Sequence, residues 1–112
     1  MNKFSQISAA KLFLELKNKE YKYVDKTWYQ ITNDGIYKKI KKNEGMIINI
    51  HDVLEKEIEQ RRYQEIMNKV NQHLSISEES INKVYDSAII KLGTFSFAKG
   101  IIEYLKEIIP SD

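Results

Sequence analysis

From Ser5 to Lys19 the apolar residues Ala9, Leu12, Phe13 and Leu16 recur at helical spacing, which predicts an amphipathic helix over 5–19. Ser5 or Ser8 stands where a hydroxyl accepts a hydrogen bond from a free backbone N–H of the first turn. The period then changes. Tyr21-Lys22-Tyr23-Val24 and Trp28-Tyr29-Gln30-Ile31-Thr32 are rich in aromatic and β-branched residues, and Asn33-Asp34-Gly35 tolerates the positive φ angles of a tight turn. A third strand is expected at Ile36–Lys41, ending near Asn43-Glu44-Gly45, so the hairpin unit spans 21–42. Strand alternation puts Ile36, Lys38 and Ile40 on one face and Tyr37, Lys39 and Lys41 on the other.

Helical spacing returns after Gly45. Ile50, Val53, Leu54 and Ile58 form one stripe, with Asn49 as cap and Asp52 near the positive helix end. Tyr63, Ile66, Met67, Val70 and Leu74 form a second stripe out of phase with the first. The segment therefore broadens its buried face or breaks near Gln60-Arg61-Arg62, and a single bent helix over 49–74 is the expectation. Ser77 with Glu78 and Glu79 opens a helix over 77–92, striped by Ile81, Val84, Tyr85, Ala88 and Leu92 and stopped by a left-handed Gly93. Thr94 or Ser96 caps a last helix over 96–109, striped by Phe97, Ile101, Tyr104, Leu105 and Ile108 and ended by Pro110. The fold class expected is α+β, mainly helical: an N-terminal helix, a small antiparallel β-hairpin or meander, then a three-helix bundle.

Composition narrows what such a domain does. With 112 residues, 42% of them hydrophobic, the chain is expected to fold as one domain. The absence of cysteine removes disulfides and thiolate chemistry and fits a reducing, cytoplasmic setting. No stretch has the length or apolarity of a membrane span, so no membrane partner is expected. The net charge of +2 hides an asymmetry: residues 1–45 carry ten lysines against five acids, a net +5, and residues 46–112 carry six lysines and two arginines against eleven acids, a net −3. A basic first half suits an anionic partner, and an acidic helical half suits solvent or a protein.

Catalytic constellations are not evident. None of the glycines at 35, 45, 93 and 100 sits in a phosphate-cradling loop. His51 and His73 lack ligand-spaced partners on their own turns beyond the neighbouring Asp52, and Glu55 and Glu59 share a helix face that reads as solvated, with local ion pairs to nearby cations. No catalytic residue, metal or cofactor is implied. The richest pattern lies in the hairpin, where Lys22, Lys26, Lys38, Lys39, Lys41 and Lys42 interleave with Tyr21, Tyr23, Trp28, Tyr29 and Tyr37. Lysines neutralise phosphates and exposed rings stack on bases, the combination used by single-strand-binding surfaces. Trp28 and Tyr29 either stack or hold the hairpin in place, and Arg61 and Arg62 extend the surface if their helix lies beside the hairpin.

Ala10-Lys11-Leu12-Phe13, Tyr21-Lys22-Tyr23-Val24, the Trp28-Tyr29 pair and the Asp34-Gly35 turn occur in that order, and Lys91-Leu92-Gly93-Thr94-Phe95-Ser96-Phe97 precedes Ile101-Ile102-Glu103. Over roughly Ala10 to Ile109 this order resembles the helical domain that precedes the superfamily 3 helicase in poxvirus-type and phage-type primase-helicases. The resemblance departs at Ile36-Tyr37, where the family usually carries a Trp after the hairpin glycine. It implies a non-catalytic module of a viral or phage-type replication protein, in the host cytoplasm if viral, that holds DNA, single-stranded DNA favoured, and associates with a helicase domain or with itself. ATP hydrolysis and priming would belong to other domains. The competing expectation is a small stand-alone protein-interaction or regulatory module that does not bind nucleic acid.

Overall fold

The structure, a computed structural model, describes residues 4–17, 19–72 and 78–109. Its elements run α1 (Gln6–Lys17), β1 (Tyr21–Val24), β2 (Thr27–Ile31), β3 (Tyr37–Lys39), α2 (Asn43–Asn71), α3 (Glu78–Leu92) and α4 (Phe95–Ile108). The fold is mainly helical α+β, with the small sheet following the first helix as expected. The Ser5 hydroxyl caps α1 by accepting the Ser8 N–H at 3.1 Å, and the Ser8 hydroxyl accepts the Ser5 N–H at 2.9 Å in return. The reciprocal pair fixes where α1 starts.

The three strands form an antiparallel sheet in the order β1-β2-β3. Val24 pairs with Thr27, so Asp25 and Lys26 alone make the first turn, at φ 51° and 62°. Two successive positive φ values match the right-handed twist of the strands they join. Neither residue is a glycine, which is why composition gives no sign of this turn. Gly35, at φ 78°, supplies the positive angle of the second turn, and the Thr32 N–H donates to the Ile36 carbonyl across it at 2.8 Å.

All four helices share one core, with α1 packed chiefly on α4, and α2 chiefly on α3. Ala9, Ala10 and Phe13 of α1, Met46, Ile50, Leu54 and Ile58 of α2, Ile81, Tyr85, Ala88 and Leu92 of α3, and Ala98, Ile101, Ile102 and Leu105 of α4 are buried. The inner sheet face joins this core. Tyr21 lies with its ring centre 5.2 Å from that of Phe13, Tyr23 packs on Trp28 at 4.9 Å, and Asn49 donates to the Gln30 side-chain oxygen at 3.4 Å.

Several sequence expectations are corrected. The second long helix begins at Asn43, six residues before the expected cap Asn49, with Lys42 as its extended N-cap. Gly45 therefore lies in the first turn of α2, where an added Cβ would come within 3.0 Å of Ile40 Cγ2. That glycine allows the strand to fold back tightly onto the helix. The helix is continuous through Arg61 and Arg62, yet of the described residues of the second stripe Ile66 alone packs, partly buried, against the core: Tyr63 and Val70 are 62% and 60% exposed, and Met67 is exposed as well. The buried row at every fourth residue, Met46, Ile50, Leu54 and Ile58, drifts around the helix and meets Arg62 next, which pairs with Asp86 of α3. Leu16 and Val84 are likewise exposed.

Gly93 ends α3 by donating its N–H to the Ile89 carbonyl at 3.0 Å, but Gly35 is the one glycine with positive φ among the described residues. Thr94 occupies the N-cap of α4 without a capping bond, and its hydroxyl donates to the Lys91 carbonyl at 2.8 Å instead. Ser96 lies inside α4, and His73, Leu74, Ser77 and Pro110 lie outside the described residues. No helix among the described residues is long and apolar enough to cross a membrane.

Candidate nucleic-acid interface

The pleat sorts the interleaved lysines and rings of the hairpin into two faces. Cross-strand partners share a face, and Lys22 pairs with Tyr29, which pairs in turn with Lys39. These three form a row across the whole sheet, pointing away from the helices. Adjacent strands are about 4.8 Å apart, so the two lysines flank Tyr29 with backbones roughly 10 Å from each other. Tyr37, beside Ile31 in the next row, belongs to the same face. The Lys22 ammonium lies 4.2 Å from the centre of the Tyr37 ring and 5.9 Å from that of Tyr29. Tyr37 is further steadied by donating its hydroxyl to the Lys19 carbonyl at 3.4 Å.

The opposite face carries Tyr21, Tyr23 and Trp28. Trp28 is only 4% exposed, which removes it from any stacking role and makes it the part of the sheet that seats against the helices. Its indole N–H has no acceptor among the described residues. Burial pushes the Tyr21 hydroxyl up to about 12, with the Glu20 charge adding to the effect. Lys106 of α4 lies 5.4 Å from the Tyr23 ring centre and so ties this face to the last helix.

The remaining lysines are dispersed. Lys26 is exposed in the first turn, Lys38 is exposed on β3 but on the side opposite Lys39, and Lys41 and Lys42 are exposed on the connection into α2. Lys38 and Lys39 thus lie on opposite sheet faces, as strand alternation predicts, while Lys41 falls beyond the strand and lies with Lys42 on the connection. None of Lys22, Lys26, Lys38, Lys39, Lys41 and Lys42 is in an ion pair among the described residues. Their charge is available to an outside partner.

Arg61 and Arg62 do not extend this surface. They sit about 18 residues along α2 from its start, roughly 27 Å at the helical rise, and both are already engaged. Arg61 pairs with Glu57 at 3.0 Å; Arg62, with its side chain 17% exposed, binds Glu59 and reaches Asp86 of α3 at 2.5 Å. Arg62 is a clasp between α2 and α3. Beside it the buried Tyr85 hydroxyl donates to Glu65, holding that carboxyl below its ordinary range, while burial and this bond push Tyr85 up to about 12.

Sequence reasoning also missed a partner for His51, whose Nδ1 lies 3.3 Å from Glu55, one turn on, and 3.8 Å from Asp52. The spacing of four was the available signal. Among the described residues no group of three or more His, Asp or Glu side chains is placed to hold a metal ion. Compared with protein families, with curated proteins and with solved structures, the chain finds no match in any of the three.

Proposed function

We propose that this chain is a non-catalytic DNA-binding and assembly domain, of the kind that accompanies a viral or phage-type primase-helicase, and that it holds single-stranded DNA on the outward face of its sheet. The observation that carries the reading is the Lys22–Tyr29–Lys39 row with Tyr37 beside it, a face where unpaired ammonium groups alternate with partly exposed rings. Phosphates would meet Lys22 and Lys39, and an unpaired base would lie against Tyr29 or Tyr37. Lys26, Lys41 and Lys42 would extend the charge along the strand. Duplex DNA keeps its base faces stacked inside, so the rings add nothing to its binding, and single strands are favoured by that difference.

The association with a helicase domain rests on the resemblance in element order alone. Fluorescence-anisotropy titration of labelled single-stranded and double-stranded DNA at two salt concentrations tests the reading. Salt-sensitive binding with preference for the single strand is the expected outcome, and no binding at low salt would sink it. The alternative, a protein-interaction module that never touches nucleic acid, draws support from apolar side chains left exposed on the helices, Ile48 and Phe95 among them.

A further inference from the structure

Phe95 opens α4 with 66% of its surface exposed, and Ile48 on the neighbouring part of α2 is 58% exposed. Both line a groove between α2 and the α3–α4 junction whose floor includes Ile47, Leu92 and Ala98. Phe95 also borders a second groove, lined by Lys42, Glu44, Lys99 and Glu103. It is therefore a ridge standing beside its own hollow. Large apolar side chains exposed together in this way mark contact surfaces.

The charges around Phe95 indicate what covers it. Lys42, Glu44 and Lys99 make no ion pair among the described residues, and Glu103 is paired only with Lys106, at 3.0 Å. The rim thus offers two lysines and two glutamates around one apolar centre. A nucleic acid, or a peptide of one sign, would match half of that rim and oppose the other half. A second copy turned by a twofold axis offers a knob to each hollow and a charge of the opposite sign to each of Lys99 and Glu44, which a partner of one sign does not.

We propose that the Phe95 patch is a self-docking surface, in which Phe95 of each copy enters the groove beside Ile48 of the other and Lys99 of each copy meets Glu44 of the other. This surface shares Lys42 with the extended charge proposed for DNA but none of the Lys22–Tyr29–Lys39 row, and its test does not depend on DNA binding.

Sedimentation velocity of the whole chain from about 5 to 500 μM tests it, because a dimer of this kind dissociates on dilution. A concentration-dependent monomer–dimer equilibrium is expected, with Phe95→Glu monomeric throughout. Lys99→Glu and Glu44→Lys are each expected to weaken the dimer at least about tenfold, and the double exchange to restore it. Thermal unfolding by circular dichroism confirms that each variant is folded; Phe95→Ser, which adds no charge, serves if Phe95→Glu is not. A wild-type chain that stays monomeric overturns the proposal, as does a dimer indifferent to Phe95, or one in which the double exchange restores nothing.

Discussion

The two faces of the small sheet are built from the same residue types and do opposite things. Tyr21, Tyr23 and Trp28 turn inward and close the core against α1 and α4, whereas Tyr29 and Tyr37 turn outward in the company of Lys22 and Lys39. Along the sequence these residues alternate, and composition treats them alike. The pleat divides them into anchors and contacts, so an aromatic residue in this hairpin has a meaning only through its parity in the strand. The lysines and arginines differ in a similar way: among the described residues Arg61 and Arg62 are engaged in internal ion pairs, and the hairpin lysines are not.

The sharpest test of the contrast is a pair of alanine substitutions at adjacent positions. Trp28→Ala is expected to cost about 3–5 kcal/mol of unfolding free energy, the usual range for deleting a large buried ring. Tyr29→Ala, on the outward face, is expected to cost under about 1 kcal/mol. Urea unfolding of the two variants measures both, and comparable losses would break the division between the faces.

Alkaline pH probes the buried phenols. Tyr21 and Tyr85 have values of about 12 in the folded chain against an ordinary value of 10.0. Between those limits the folded state keeps protons that the unfolded chain has released, so stability is lost as pH rises through that window. The melting temperature, followed upward in pH from just below the ordinary phenol value to the folded-state one, is expected to fall, and Tyr21→Phe is expected to flatten part of the fall.

The arginine clasp is smaller. Arg62→Ala removes the tie between α2 and α3 and is expected to cost about 1–2 kcal/mol, leaving affinity for DNA unchanged. Loss of DNA affinity in that variant would show that the arginine belongs to the binding surface after all. Smallest is the turn at Lys26, whose φ of 62° is strained for a residue with a side chain. Lys26→Gly is expected to raise stability by up to about 1 kcal/mol, read as a higher urea midpoint.

Most of the elements were legible because their periodicity is clean, as in Ala9 and Phe13 of α1 and Ile101 and Leu105 of α4. The start of α2 was not, because Asn43-Glu44-Gly45 has the residues of a turn, whereas in the structure they form the first helical turn after the extended Lys42, with Ile40 close against Gly45. Its second stripe misled for a related reason: spacing reveals a helix but not whether anything covers it, and Tyr63 and Val70 are left to solvent. At the candidate interface the mixture of lysines and rings was readable. Which lysine meets which ring was not, because that depends on the register set by two turns, one of them formed by Asp25 and Lys26 without a glycine.

The most direct test of the account is the salt dependence of single-stranded DNA affinity, measured for the wild type and for a Lys22→Ala, Lys39→Ala double variant. Removing one lysine from a phosphate lowers the slope of log affinity against log salt by about 0.7 for a single strand. The expected result is weaker binding with a slope shallower by about 1.4, in a protein whose melting temperature is unchanged. An unchanged slope and affinity would contradict the assignment of DNA to the outward face of the sheet.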